Sequence, residues 1–183
     1  MSEQLFRDLA SAIQGGDPER IAEILHDLRR TGPAQSPERV ALVEPLLRHS
    51  DGYVRRVAIS VLCSVWRVPR LRPVAHDLWR HDPDEEIRSA ALVGWTAYDE
   101  AIGDSAVGEA LLQVMLDPVE PRNLRTTAYN CMFSVCRVPA AQRPSVHRVV
   151  ADPDRLIDWA LVWRLLASLG VDLSRYQAPS VAG

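Results

Sequence analysis

The sequence predicts an all-α fold, with about five antiparallel helix pairs stacked into a right-handed α–α superhelix. Two rulers and one silence point there. Residues 53–70 and 123–140 align without gaps at an offset of 70: Arg55 meets Arg125, Ala58 meets Ala128, and Arg67-Val68-Pro69 meets Arg137-Val138-Pro139. The dipeptides Asp82-Pro83, Asp117-Pro118 and Asp152-Pro153 recur every 35 residues, half that offset. A fixed period of this size is the signature of stacked supersecondary units. Alternating β-branched runs bounded by Asn-Gly or Asp-Gly turns, the marks of hairpins, do not occur.

The elements follow in chain order. A divergent N-terminal pair is expected near 3–14 and 18–31, with Gly15-Gly16 closing its first helix and Asp17-Pro18 opening its second. Shorter helices are expected near 37–49, 72–81, 105–116 and 143–151, each preceding a longer one. On the longer helices the apolar positions recur at helical spacing. These are Val54, Val57, Ala58, Val61, Leu62 and Val65; then Ile87, Ala90, Ala91, Gly94, Trp95 and Tyr98; then Leu124, Ala128, Cys131, Met132 and Val135. The small residue four places on (Ala58, Ala91, Ala128) admits a neighbouring helix closely. Asp-Pro suits a helix start, because Asp accepts from free backbone N–H groups and Pro tolerates the first turn. The expected organisation is one domain over 1–173, comprising 1–44 as the divergent pair with a linker and 45–173 as clear repeats. Residues 174–183 lack an apolar period and read as a flexible tail.

Bulk properties narrow the classes. The 183 residues are 47% hydrophobic and 25% charged, as in a folded globular chain. The net charge of -3 argues against a partner held through phosphates, so nucleic acid is not the expected partner. All 21 basic residues are Arg, which leaves no lysine nucleophile or Schiff base. The start lacks a basic segment followed by an apolar run, and no stretch is apolar enough for a membrane span. Cys63, Cys131 and Cys136 are odd in number and sit within apolar patterns, which reads as reduced thiols in a cytoplasmic protein. Cys131 and Cys136 do not have the Cys-x-x-Cys spacing of a redox pair.

At Asp51 with Val54-Arg55-Ala58, Asp84 with Ile87-Arg88-Ala91, and Asp117 with Leu124-Arg125-Ala128, the units resemble HEAT repeats. Their pattern is a loop Asp, then hydrophobic-Arg, then Ala on the second helix of each pair. A fourth unit, Asp152 with Leu156 and Ala160, has Ile157 where Arg is expected. The resemblance covers about 45–165 and fits a small, stand-alone bacterial member. It implies that the arginines pair with loop aspartates and help to stack repeats, against the alternative of a phosphate-binding ladder. It also implies binding through the inner surface made by the second helices.

No chemistry competes strongly with that reading. His76 and His81 are five apart and not the i, i+4 of a helical metal pair, and Asp82 to Glu86 sit where carboxylates offset a helix dipole. The His-Glu dipeptides of HEAT-type di-iron hydroxylases are missing. There is no Gly-x-Ser-x-Gly elbow and no Walker or dinucleotide fingerprint. No catalytic residue, metal ligand or cofactor is therefore assigned.

Trp95 falls on the core stripe, while Trp159 and Trp163 cover an end of the stack. Trp66 lies off the stripe; Ile59 and Leu92 read as packing. The candidate partner-binding residues are Arg56, Trp66, Arg67, Tyr129, Asn130, Phe133 and Arg137, offered to one protein by a monomer or weak dimer. That describes an adaptor, regulator or immunity-type inhibitor. Two enzyme-like alternatives share the repeat. One resembles the HEAT-like alkylpurine DNA glycosylases and recruits Trp66, Tyr129, Arg56, Arg137 and Asp99. The other resembles the phycobilin lyases, with no motif singled out here.

Overall fold

Helix starts are written by aspartate in most of this chain. The computed structural model describes residues 2–30, 36–99, 103–144 and 152–177, and all regular structure among them is helical. Asp51 accepts from the Val54 N–H and begins α4 (Gly52–Ile59); Asp84 accepts from Glu86 and Ile87 and begins α6 (Glu85–Thr96). Asp104 does the same for α7 (Ser105–Leu116), and Ser36 for α3 (Pro37–Val43). Each satisfies donors that the first turn leaves without an intrahelical partner.

Contacts gather the chain into two compact units, 1–98 and 99–183. In the first, α1 (Ser2–Gly15) pairs with α2 (Pro18–Arg30). Helix α3 leads into the 3-10 turn Glu44–Arg48, which pairs with α4, and α5 (Arg72–His81) pairs with α6. In the second, α7 pairs with α8 (Arg122–Val135), followed by α9 (Pro153–Leu156) and α10 (Trp159–Ser168). The expected helices at 3–14, 18–31, 72–81 and 105–116 are therefore present. That near 37–49 is split between α3 and the 3-10 turn. That at 143–151 falls largely on residues outside those described.

Three expectations need correction. Asp82 and Asp117 do not open helices: each ends the preceding one, and its carboxylate accepts from the N–H two residues on, Asp84 and Val119, to hold a turn. The residues before α8 carry no side-chain cap; Pro121 stands there instead. Third, the helix expected from Asp152 is interrupted. Asp152 caps α9, the chain turns extended at Ile157, and Asp158 caps α10 through the Leu161 N–H. Residues Leu173–Arg175 form a 3-10 turn, and the Tyr176 hydroxyl donates to Glu109 Oε1. Within the stretch read as tail, Arg175 and Tyr176 both reach Glu109 of α7.

The 70-residue period is visible in the geometry. Helical structure runs over 52–65 in one unit and 122–135 in the other, with the final turn of the former, Ser60–Val65, widened into a π-helix. Core positions behave as the stripe predicts: Val54, Ala58, Leu62, Ala91, Leu124, Ala128 and Met132 are all fully buried. Trp95 and Trp159 are buried too, and Trp79 with Trp95 builds a ring stack at 5.7 Å in the first unit. No helix among the described residues is long and apolar enough to cross a membrane.

Gly94 sets the approach of α6 to the widened turn. A Cβ there would stand 2.7 Å from Cys63 Cβ and 3.6 Å from Ile59 Cγ2. Both neighbours are fully buried, so neither can swing aside. Gly94→Ala is expected to lower the stability of the chain by about 1–3 kcal/mol, the cost of overpacking a filled core. Gly15→Ala, with nothing within 4 Å of its added carbon, serves as the control and should not destabilise. Urea unfolding of the two variants beside the parent checks this.

Candidate functional site

The repeated arginines come first, because they decide which surface is available. Arg55 Nη1 donates to the carbonyls of His49 and Ser50 at 2.8 and 3.0 Å. Arg88 Nε donates to Trp79 O, and Arg125 Nε to Met115 O, both at 3.0 Å. Arg88 and Arg125 thus reach the last turn of the first helix in their own pair, and Arg55 the two residues that follow the 3-10 turn Glu44–Arg48. Those carbonyls have no intrahelical donor, and a cation there also meets the negative end of the helix dipole. Main-chain carbonyls within a pair are thus among the acceptors of these arginines, a structural role of the kind the resemblance implies. At Gly52, Asp84 Oδ2 and Arg55 Nη2 lie 3.2 and 3.6 Å from the Cβ position.

Arg67 and Arg137 differ from the ladder. Both have positive φ, 50° and 57°, a left-handed backbone that L-residues pay about 1–2 kcal/mol to adopt. Helix α8 ends through Arg137 in a Schellman motif: Arg137 N–H donates to Ser134 O and Val138 N–H to Phe133 O. The first unit makes the equivalent turn, Val68 N–H reaching Leu62 O across the widened helix. In both, the valine carbonyl that follows is held from outside, Val68 by the Tyr98 hydroxyl at 2.8 Å and Val138 by Arg143 Nε at 2.9 Å. Helices α1 and α10 end with glycine in that conformation, Gly16 and Gly170. The chain thus uses glycine at two helix ends and exposed arginine at two others.

The remaining predicted residues divide by burial. Asn130 is exposed, and Arg56 keeps 40% of its side chain exposed. Tyr129 and Phe133 are each 1% exposed, their rings packed edge-to-face at 4.8 Å in the second unit. They are core residues, not surface anchors, because their positions turn into the pair's interior and not away from it. Trp66 is 7% exposed and lies 6.1 Å from the ring of Phe6. It forms the floor of a shallow groove of about 290 Å³ with Pro37, Val40, Val68, Pro69 and Arg70. Asp99 is 1% exposed. The aromatics and carboxylate that a glycosylase-like reading recruits are therefore withdrawn from the surface. Burial also pushes the Cys63 and Cys136 thiols up to about 11, which keeps them protonated near neutral pH.

One polar cluster escaped the sequence reading. Tyr53, 47% exposed in the first turn of α4, shares a 2.7 Å hydrogen bond with His26 Nε2 of α2. The Arg56 guanidinium sits over the Tyr53 ring at 4.8 Å and pairs loosely with Glu86 at 3.5 Å. Tyr53 stands beside Val54 on the solvent side of the apolar stripe, which was the available clue. Its meeting with His26, 27 positions earlier, has no sequence signature.

The comparison with known families finds one model, HEAT repeats, matching residues 40–132, just over half of the chain. No curated protein and no solved structure matches it.

Two measurements follow. Replacing Arg125, 4% exposed, by Met leaves a last-turn carbonyl of α7 without its donor and is expected to cost about 1.5–3 kcal/mol in urea unfolding. An unchanged stability would return this arginine to the ligand-binding candidates. The second concerns pH. Burial, then Arg29, Arg30 and Arg56, hold the His26 imidazole below its ordinary 6.5, with Asp27 opposing. The unfolded chain then binds the proton more readily than the folded one, so this contribution to stability is complete above pH 6.5 and declines as pH falls through it. His26→Asn is expected to flatten that part of the stability–pH curve relative to the parent.

Proposed function

The chain belongs to the HEAT-repeat family, and from that premise we propose that it is a non-catalytic protein-binding module acting as an adaptor, regulator or immunity-type inhibitor. HEAT repeats generally mediate protein interaction. The observation that carries the reading here is the pair of exposed arginines, Arg67 and Arg137, kept at equivalent left-handed helix ends. Glycine would occupy those positions without strain, and Gly16 and Gly170 do so elsewhere in the chain. Strain retained on an exposed, charged side chain supports a use for that side chain beyond folding. Arg and aromatic groups also dominate the energetics of protein contacts.

Each unit offers its own candidate contacts: Arg56 and Arg67 in the first, Asn130 and Arg137 in the second. Tyr129 and Phe133 pack inside the second unit and Trp66 inside the first. The protein acts as a monomer or weak dimer, in the cytoplasm, where its buried thiols stay reduced.

The double variant Arg67→Gly with Arg137→Gly separates binding from folding. Glycine relieves the backbone at both turns, so the variant is expected to be more stable than the parent by about 1 kcal/mol or more. Its capture of a protein from nuclease-treated lysate of the source organism, read by mass spectrometry, is expected to fall sharply. Undiminished capture would remove these arginines from the interface. Recovery of nucleic acid alone, lost on nuclease treatment or added salt, would defeat the protein-binding reading.

A further inference from the structure

Helix packing in the first unit leaves a half-exposed aromatic ring beside a group of cations. Tyr53 projects from the first turn of α4, its hydroxyl tied to His26 of α2 at 2.7 Å and its ring 5.7 Å from the imidazole. That bond spans two helices, so the ring is held before any partner arrives, and less side-chain entropy is lost on binding. Arg56, close to one turn along α4, lies over the ring at 4.8 Å. Arg29 and Arg30 follow His26 by one turn on α2, and Arg30 is 78% exposed. All three arginines lie near enough to oppose the protonation of His26.

The acidic groups nearby do not neutralise this cluster. Asp27 meets Arg30 at 3.1 Å, while Glu86 stands 3.5 Å from Arg56, longer than a charge-assisted hydrogen bond of roughly 2.7–2.9 Å. A guanidinium has five N–H donors, so both arginines retain donors facing solvent. Arg29, also exposed, makes no ion pair among the described residues.

We infer that the cluster of His26, Arg29, Arg30, Tyr53 and Arg56 docks a carboxylate-rich segment of a protein partner. Discrete carboxylates can reach the arginines one at a time and lay an apolar neighbour on the Tyr53 ring. A continuous polyphosphate fits less well, because Asp27 and Glu86 interrupt the positive surface and the whole chain carries a charge of -3. The inference rests on the protein-binding reading and names the chemistry of its partner on one surface.

The test is a titration of the isotope-labelled full chain with decaglutamate at low ionic strength, followed by backbone amide shifts. Saturable shifts are expected at residues 26–30 and 53–56, with Arg29→Glu plus Arg56→Glu weakening binding about tenfold or more. Unchanged helical circular dichroism establishes that this variant is folded; if it is not, Arg29→Gln with Arg56→Gln replaces it and is expected to weaken binding in the same direction. Decalysine should produce no shifts there. Absence of saturable shifts at these residues, or shifts centred elsewhere, overturns the inference, as does tighter binding of an oligothymidylate of the same length. A silent titration beside intact capture of a protein from lysate defeats the acidic-segment inference alone; loss of both defeats the protein-binding reading as well.

Discussion

Three successive helix pairs in this chain are closed by an arginine that crosses from the second helix to unpaired carbonyls at the end of the first. Short helices cannot hold themselves together in water, since each leaves a turn of orphan groups at either end and gains little from propensity alone. Arg55, Arg88 and Arg125 answer that need in three successive pairs, at one position of the repeat. Arg125 is itself buried, and the carbonyl that it satisfies offsets part of the cost of that burial. The register of one helix against the other is thereby specified, and the apolar stripe can close on small residues such as Ala58, Ala91 and Ala128. Gly94 takes this furthest, allowing α6 to touch Cys63 where no side chain would fit.

Arginine serves a second purpose at the far ends of the longer helices. Arg67 and Arg137 hold a backbone conformation that suits glycine, inside turns braced by Tyr98 and Arg143. The braces matter physically: a strained residue persists only where its surroundings over-determine it. With no lysine in the chain, every cationic contact is made by a planar guanidinium, which can bond several carbonyls or carboxylates at once. The same residue type therefore closes pairs from within and decorates the turns outside. Burial separates the two groups more clearly than sequence position does.

The proposed binding surface follows from that separation. Once Arg55, Arg88 and Arg125 are committed to main-chain carbonyls, the arginines left facing solvent are those off the apolar stripe. Tyr53 is the aromatic that keeps substantial exposure among them, whereas Trp66, Tyr129 and Phe133 serve the interior. An aromatic ring held between a neutral imidazole and a guanidinium is suited to contact with an acidic, partly apolar segment.

Periodicity by itself determined the helical class, the pairing of helices and most of the core, because burial of one stripe per helix needs nothing beyond local spacing; the family rested on the loop-Asp, hydrophobic-Arg, Ala pattern. A structural role for Arg55, Arg88 and Arg125 was implied by the resemblance to HEAT repeats, not by the spacing. Only the tertiary structure decided what those arginines bond, since carbonyl acceptors are invisible in side-chain patterns. Only it showed that Asp82 and Asp117 end helices, because Asp-Pro serves a turn as readily as a helix start. Tyr129 and Phe133 lie beside the predicted stripe, and whether such flanking rows face solvent depends on how widely the pair's interior opens, which spacing along one helix does not encode. The meeting of His26 with Tyr53 is of the same kind: two unremarkable positions on separate helices become a site through packing alone.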